Sequence, residues 1–110
     1  MSKPWCYATA SERIGDSFLV RPEGQEALSL RLVKVVDKGA AGPYEQFSLL
    51  FSGAADHFLP QGLYGVEHPS VGSAHWILVP VGQDENGYVY EAAFSIRKTA
   101  ESSEREEKRA

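Results

Sequence analysis

The chain has 110 residues, 43% of them hydrophobic and 24% charged, and its formal net charge is −4. This length fits one ordinary domain that can bury a core, and the composition excludes wholesale disorder, collagen-like repeats and disulfide-dense scaffolds. The excess of acidic over basic side chains argues against nucleic acids and anionic membranes as partners.

Cysteine usage and hydropathy bear on the compartment. A single cysteine, Cys6, excludes an intramolecular disulfide and fits a reducing environment. The first residues lack the apolar core of a signal peptide, and no apolar run approaches the roughly 20 residues that a membrane span needs. We therefore expect a cytoplasmic protein without a membrane segment.

Residues 1–16 are predicted to form a polar lead-in with one short helix. Thr9 or Ser11 is placed to cap that helix. Glu12 then falls in its first turn, near the positive end of the helix dipole, and Gly15 ends it.

From Ser17 onward the hydrophobic period becomes that of strands, and six are predicted: residues 17–21, 26–37, 46–52, 63–68, 74–81 and 88–97. A change in the phase of alternation near Leu32 and Val33 predicts a β-bulge in the second strand. The glycine-rich residues 38–44 are predicted to be a loop, and Asn86-Gly87 is typical of a hairpin turn.

The last two strands carry different patterns. Residues 74–81 are apolar in both phases, which predicts a central strand covered on both sides, with Pro80 at its frayed end. In the last strand, one phase is predicted to face inward and the partly polar other phase outward. The inward set is Tyr88, Tyr90, Ala92, Phe94 and Ile96.

Most connections between these strands are too short for a crossover helix, so neighbouring strands should be antiparallel. The prediction is an all-β fold, a small six-stranded antiparallel meander curled into a closed or nearly closed barrel. Residues 1–16 form the lead-in with the short helix, 17–97 the barrel and 98–110 a charged, solvated tail. That tail has equal numbers of acidic and basic residues, so the net charge belongs to the barrel.

Three histidines, His57, His68 and His75, are the conventional residues for metal binding or acid–base work. Glu67 adjoins His68, so a set of two histidines and one carboxylate can be drawn from Glu67, His68 and His75. However, neighbours on a strand face opposite sides, and no pair has the tight spacing of metal ligands. We therefore expect no metal and no cofactor.

Signals for covalent catalysis are equally weak. Cys6 has no histidine nearby in the sequence, and none of the serines lies in a nucleophile elbow. The adjacent carboxylates Asp84 and Glu85 occupy a hairpin turn, where water would solvate both and leave their pKa values close together. The sequence favours a protein that is not an enzyme.

Trp76 stands out among the aromatic residues because it faces away from the side of Ile77 and Val79. If that face is uncovered, Trp76 and Leu78 make an apolar patch suited to a protein partner. The candidate interaction surface is then Trp76 together with His57 and Phe58 of the loop at residues 53–62. If the N-terminal helix covers it, the patch is a second core.

An ordered set of short motifs runs from Phe47 to Phe94. They are Phe-Ser-Leu-Leu-Phe at 47–51, Leu-Pro-Gln-Gly at 59–62, Tyr64, Glu67-His68, Gly72, Leu-Val-Pro-Val-Gly at 78–82, and Tyr-Glu-Ala at 90–92 followed by Phe94. In these residues the chain resembles a bacterial family, domain of unknown function 6916 (DUF6916). The resemblance implies no chemistry. It implies a structural or assembly role of the kind associated with phage-tail-like genes.

Four residues shared with that pattern are harder to explain by packing alone: Gln61, Glu67, His68 and Glu91. Our hypothesis is that Gln61, Glu67 and Glu91 form a polar network that pins the long loop to neighbouring strands.

Together, these sequence features favour a non-enzymatic interaction or assembly domain that binds a protein partner or a second copy of itself. The predicted contact regions are a strand edge, the loop at 53–62 and the Trp76 face. The alternative is a small-ligand or metal-binding barrel, with hydrolytic activity, that uses His57, His68, His75 and Glu67. Metal content and oligomeric state discriminate between the two.

Overall fold

Alternating apolar and polar side chains organise most of the chain into strands. The computed structural model describes residues 5–97, and within them it contains one short helix and six strands. They are α1 (Tyr7–Ser11), β1 (Ser17–Arg21), β2 (Leu28–Ala41), β3 (Tyr44–Ala54), β4 (Gly62–His68), β5 (Gly72–Asp84) and β6 (Gly87–Arg97). The predicted tail at 98–110 lies outside the described residues.

The six strands form one closed antiparallel barrel in the order β1-β2-β3-β6-β5-β4. The ring closes where β1 pairs with β4, through Leu19↔Glu67, Val20↔Val66 and Arg21↔Gly65. The predicted antiparallel barrel is confirmed, but the order differs from that of a simple meander. β3 pairs with β6 along its whole length, so the connection at residues 55–61 must lead from β3 to the non-adjacent β4.

The core lies inside the barrel. Inward-facing side chains of every strand are buried, among them Phe18, Val20, Leu30, Leu32, Phe47, Leu49, Phe51, Val66, Leu78, Tyr90 and Ala92. The inward phase predicted for the last strand is confirmed by the burial of Tyr90 and Ala92. Burial of this apolar surface is the main favourable term in folding, and side chains usually fill the interior of a barrel of this size.

Irregularities in the ladders let long strands bend around the barrel. The register of β2 against β3 shifts between Leu32 and Lys34, which confirms the predicted bulge. A second shift, between Asp37 and Ala40, contains Gly39 at a φ of +90°. The predicted loop at 38–44 is therefore wrong, because a bulge absorbs the glycine and β2 continues to Ala41.

β5 departs from its prediction in two ways. Pro80 does not end the strand, because a register shift between Pro80 and Gly82 provides a position where proline's missing N–H is tolerated. Only one face of the strand is covered. Trp76 and Leu78 point into the core, whereas the side chain of Ile77 is exposed.

The helix begins earlier than predicted. Its N-cap is Cys6 rather than Thr9 or Ser11, and the Cys6 N–H donates to Thr9 Oγ1 at 3.0 Å. Glu12 is consequently the C-cap and not a first-turn residue. Gly15 takes a φ of +98° after the helix, and its N–H donates to the carbonyl oxygen of Leu32 at 2.7 Å, which leads the chain into β1.

No helix within residues 5–97 has the length and apolar character to cross a membrane.

Trp5, which precedes the helix, fills a gap between β5 and β6. These two strands pair from Val79↔Glu91 to Asp84↔Gly87, so the parts that carry Trp76 and Phe94 are not paired with each other. Trp5 lies there, stacked on Trp76 at a centroid distance of 5.4 Å and edge-on to Phe94 at 5.8 Å. Trp5 thus completes the wall of the barrel at this end.

Candidate functional site

His68 is a buried structural residue. Its Nδ1 accepts hydrogen bonds from the backbone N–H groups of Ser70 at 2.9 Å and Val71 at 3.3 Å. Because Nδ1 accepts, the ring proton is on Nε2, which donates to Asp16 Oδ2 at 2.8 Å. Both ring nitrogens are occupied, so His68 ties the β4–β5 turn to the lead-in and has neither nitrogen free for a metal or a substrate.

The structure does not bring the three histidines together. His57 is exposed in the loop beside Asp56, and its Nδ1 lies 3.1 Å from Asp56 Oδ1. His75 is on the outside of the barrel, opposite Gly65, whereas His68 faces inward. Within residues 5–97 there is no group of three His, Cys, Asp or Glu residues that could hold a metal ion. The set drawn from Glu67, His68 and His75 is therefore not formed.

Glu67 is held by a residue of the neighbouring strand β1. The Arg21 guanidinium donates two hydrogen bonds to its carboxylate, at 2.8 and 3.2 Å. This bidentate contact lowers the pKa of Glu67 and raises the pKa of Arg21. The pair is on the surface, where water screens it, so it neutralises local charge more than it stabilises the fold.

Glu91 belongs to a second, separate cluster. Ser48 Oγ donates to Glu91 Oε2 at 2.6 Å, and Lys38 Nζ lies 2.9 Å from the same oxygen. Among residues 5–97, no hydrogen bond links Glu67 or Glu91 to Gln61, whose side chain is exposed. The predicted network of Gln61, Glu67 and Glu91 is wrong. Glu67 and Glu91 lie on different strands, β4 and β6, and each has a nearer partner, whereas Gln61 is exposed in the loop before β4.

Tyr90 and Leu59 fix the loop at 55–61 instead. Leu59 is 1% exposed and lies in the core, and its N–H donates to Tyr90 Oη at 2.9 Å. Tyr90 Oη donates in turn to the His57 carbonyl oxygen at 3.4 Å. Burial raises the pKa of Tyr90, which keeps the phenol neutral. The hydroxyl can therefore accept the hydrogen bond from Leu59 and donate the one to His57. The apolar pair Phe58-Leu59 in an otherwise polar loop was the available sequence signal for this anchor.

The residues predicted for an interaction surface are divided between the core and the surface. Trp76 is 8% exposed and stacks on Trp5, so it is a core residue, and its place in the predicted surface is corrected. His57 and Phe58 are exposed in the loop at 55–61. The Phe58 ring packs edge-on against Tyr88 at a centroid distance of 5.0 Å.

The most exposed apolar side chains lie elsewhere, on the outside of β4 and β5. Leu63 is 65% exposed and Ile77 is 58% exposed, and the two are directly paired across the β4–β5 ladder. We call the outward residues Leu63, Gly65, His75 and Ile77 the Leu63–Ile77 face. The sequence did not identify this face because residues 74–81 are apolar in both phases, which conceals the phase that faces water.

Gly65 and His75 continue this face next to the apolar pair. Gly65 lies two residues beyond Leu63 and is paired with His75. The His75 ring lies over the glycine, since its Nε2 is 3.8 Å from the position that a Cβ on Gly65 would take. The face therefore combines a projecting apolar pair with an imidazole, and the Arg21–Glu67 ion pair lies at its border.

A comparison with known families covers the helix and nearly all of the barrel. The profile of a family described as a domain of unknown function, DUF6916, matches residues 5–94. The chain belongs to the DUF6916 family. No curated protein and no solved structure matches the chain.

The matched segment of this DUF6916 domain begins at Trp5 and ends at Phe94, two rings that pack against each other. The Trp5 segment is thus part of the family's own unit. The family description assigns no activity, so the function must be argued from the surfaces of the domain.

The Glu91 cluster of the DUF6916 domain predicts a pH-dependent contribution to stability. Hydrogen bonds from Ser48 and then Lys38 lower the pKa of Glu91 below its ordinary value of 4.5. A carboxylate with a lowered pKa stabilises the fold above that ordinary value, and this contribution is lost as the pH falls through the lowered pKa. We expect Glu91→Gln to cost about 1 kcal/mol at pH 7 and progressively less below about pH 4.5.

Denaturant unfolding of the wild type and Glu91→Gln between pH 7 and pH 3 measures this effect. Glu85→Gln is the matched control, since Glu85 is an exposed turn carboxylate. Equal losses for the two variants at pH 7, or a Glu91→Gln loss that stays constant down to pH 3, would contradict the assignment.

Proposed function

We propose that this DUF6916 domain is a non-enzymatic interaction or assembly module that binds another protein chain through the Leu63–Ile77 face. The observation that carries the proposal is the pairing of Leu63 and Ile77, both more than half exposed, on one rigid ladder. Large apolar side chains gathered at one place on a surface are typical of sites that a partner covers.

The polar side chains support a binding role over a catalytic one. His68 and Glu67, two of the predicted metal-binding or catalytic residues, are engaged in hydrogen bonds that connect separate elements of the fold, and so are Glu91 and Tyr90. Such groups contribute to stability and position strands. A general base or nucleophile needs a free lone pair that faces a substrate.

The closed ring also favours this face over a strand edge. β2 pairs with β1 only as far as Arg31, so the rest of β2 has one edge that is not paired with β1. Two register shifts and the lysines at 34 and 38 interrupt that edge, and both features hinder the addition of a further strand. The loop at 55–61 is fixed by Leu59 and Tyr90, so it is part of the barrel's end.

The setting of the interaction is part of the proposal. We place the domain in the cytoplasm, which the single cysteine favours. The phage-tail-like context implied by the family resemblance is a setting where small rigid domains assemble with other chains.

Lysine substitutions on the face test the proposal. In cells that express the full chain, we expect wild type to elute after gentle lysis in a complex larger than its own 12.1 kDa. The double variant Leu63→Lys, Ile77→Lys should elute as the free chain, because burying an ammonium group in an apolar contact is costly. Purified double variant should unfold within about 0.5 kcal/mol of wild type, since both positions are exposed.

Val33→Lys is the matched control, because Val33 is an exposed apolar residue on the distant strand β2. If the double variant elutes with the wild type, or if Val33→Lys disrupts the complex equally, the face is not the binding site.

A further inference from the structure

We propose that His68 is a pH-sensitive latch, which holds the turn between β4 and β5 at residues 69–71 closed at neutral pH and releases it in weak acid. This inference is independent of the function proposed above. The His68 side chain is 6% exposed and connects β4, the turn and the segment that precedes β1. Histidine is the side chain that ordinarily changes its charge between about pH 8 and pH 5. A change of charge at this place therefore acts on all three parts.

The closed turn needs the neutral form of the ring. In a neutral imidazole one nitrogen accepts and the other donates, and His68 uses Nδ1 to accept from the turn and Nε2 to donate to Asp16. A protonated imidazole carries a hydrogen on both nitrogens and accepts nothing. Its Nδ1–H would then face the N–H groups of Ser70 and Val71, which lie 2.9 and 3.3 Å from Nδ1. The two donors of the turn must therefore leave the ring when it is protonated.

Protonation strengthens the contact on the other side of the ring. Nε2 lies 2.8 Å from Asp16 Oδ2, and a positive ring makes this hydrogen bond a charge-assisted one. The Phe18 ring also packs on the imidazole, at a centroid distance of 4.6 Å. The ring thus stays in place with Asp16 and loses the turn, so the acid form differs from the neutral form mainly at residues 69–71.

Charged groups face the ring from the segment between α1 and β1. Asp16 favours the protonated form, as any anion at 2.8 Å does. Arg13 opposes a second positive charge, and its guanidinium lies 3.5 Å from the same Asp16 oxygen. Glu12 lies 3.9 Å from Arg13 and partly offsets that charge. The charge of the ring therefore depends on Asp16 and Arg13.

The strands packed around His68 contribute no further charge beside the ring. β1 presents Phe18 to it. On β4, the adjacent Glu67 faces outward and is bound by Arg21. On β5, His75 lies on the outside of the barrel. The protonation of His68 is thus separated from that of the other titratable groups on these strands.

The turn can leave the ring because it lies at the surface. Ser70 is exposed and Val71 is half-buried, so their freed N–H groups can bind water. Gly72 ends the turn at a φ of +91°, and glycine adopts other backbone conformations at little steric cost. In the closed turn Val71 packs against the core, so release exposes an apolar side chain at this end of the barrel.

NMR spectroscopy of the purified, isotope-labelled full chain between pH 8 and pH 5 tests the latch. The ring-nitrogen shifts of His68 report its protonation. Amide hydrogen exchange of Ser70 and Val71, corrected for the intrinsic pH dependence of exchange, reports opening of the turn. We expect the protection of these two amides to fall about tenfold or more as the ring gains its proton. Amides along the β3–β6 ladder should keep theirs.

Two variants and a control separate the latch from a general effect of acid. His68→Asn retains an oxygen that can accept from the turn but cannot gain a proton, so the turn should stay protected throughout. Asp16→Asn keeps an acceptor and removes the negative charge, so opening should move to lower pH by about half a unit or more. His75→Gln changes an exposed histidine and should behave as the wild type.

The wild-type spectra decide the proposal even if a variant does not fold. A His68 ring that stays neutral down to pH 5 would overturn it, and so would a ring that is protonated while Ser70 and Val71 remain protected. Acid opening of the turn in folded His68→Asn, or its loss in His75→Gln, would show that another group is the latch and would equally overturn it. None of these outcomes bears on the Leu63–Ile77 face.

Discussion

Replacement of Trp5 by alanine is expected to lower the free energy of unfolding by about 3 kcal/mol. The Trp5 ring contacts three aromatic rings, Phe47, Trp76 and Phe94, at centroid distances between 5.4 and 6.4 Å. It occupies the gap where β5 and β6 are not paired, so its removal opens the core at that end. Neighbouring strands are held by their ladders and cannot collapse into the space.

The shape of the gap allows a direct control by chemical rescue. Because Trp5 Nε1 has no hydrogen-bond partner within residues 5–97, the lost interactions are those of ring packing. Added indole should therefore bind Trp5→Ala and raise its melting temperature, as a ligand that binds only the folded state does. Trp5→Phe should lose less stability than Trp5→Ala.

Phe58→Ala serves as the comparison, since Phe58 is an aromatic residue that is 52% exposed. It should lose about 1 kcal/mol or less and show no rescue by indole. A Trp5→Ala variant as stable as the wild type, or one that indole does not stabilise, would show that Trp5 does not fill this gap.

Gly87→Ala is expected to cost about 3–5 kcal/mol. Gly87 begins β6 at a φ of +147°, and an added Cβ would lie 2.0 Å from the carbonyl oxygen of Gly53 and 2.8 Å from the Ala55 nitrogen. These are backbone atoms of the paired strand and of the loop that follows it. Relief of the clash would therefore require separation of β3 and β6 at this end of the barrel.

Gly42→Ala is the control that measures the cost of backbone strain without a steric clash. Gly42 also has a positive φ, +60°, but nothing lies within 4 Å of its Cβ position. We expect it to cost about 1 kcal/mol, the usual effect of a non-glycine residue in the left-handed region. Denaturant unfolding of both variants measures the difference, and equal losses would contradict the close approach of Gly87 to Gly53.

The local features of the fold followed from the sequence because they depend on neighbouring residues. β1 has the predicted bounds, the bulge after Leu32 lies where the alternation changes phase, and Tyr90 and Ala92 face inward as predicted. Each of these is determined by a side-chain period that repeats within about ten residues.

The arrangement of the polar residues did not follow, because their partners are distant in the sequence. Glu67 is bound by Arg21, 46 residues away, and Glu91 is bound by Ser48, 43 residues away. These contacts depend on the strand order, and pairing of β3 with β6 cannot be read from either strand alone. The exposed position of Ile77 did not follow for a different reason, since residues 74–81 are apolar in both phases and the pattern does not show which phase faces water.

Leu59 shows the opposite case, in which a usable signal was present. The loop at 55–61 reads as a polar connection that looks suited to function, yet Leu59 is buried and anchored by Tyr90. Because the loop is anchored in this way, the outside of β4 and β5 is the stronger candidate for a binding surface.

The central claim of this account is that the Leu63–Ile77 face is covered by another chain in the cell. A photoactivatable phenylalanine analogue placed at position 63, with the same group at position 33 on β2 as the control, tests this directly. We predict a discrete crosslinked species from position 63 and none from position 33. Absence of a discrete species from position 63, or equal crosslinking from both positions, would contradict the account.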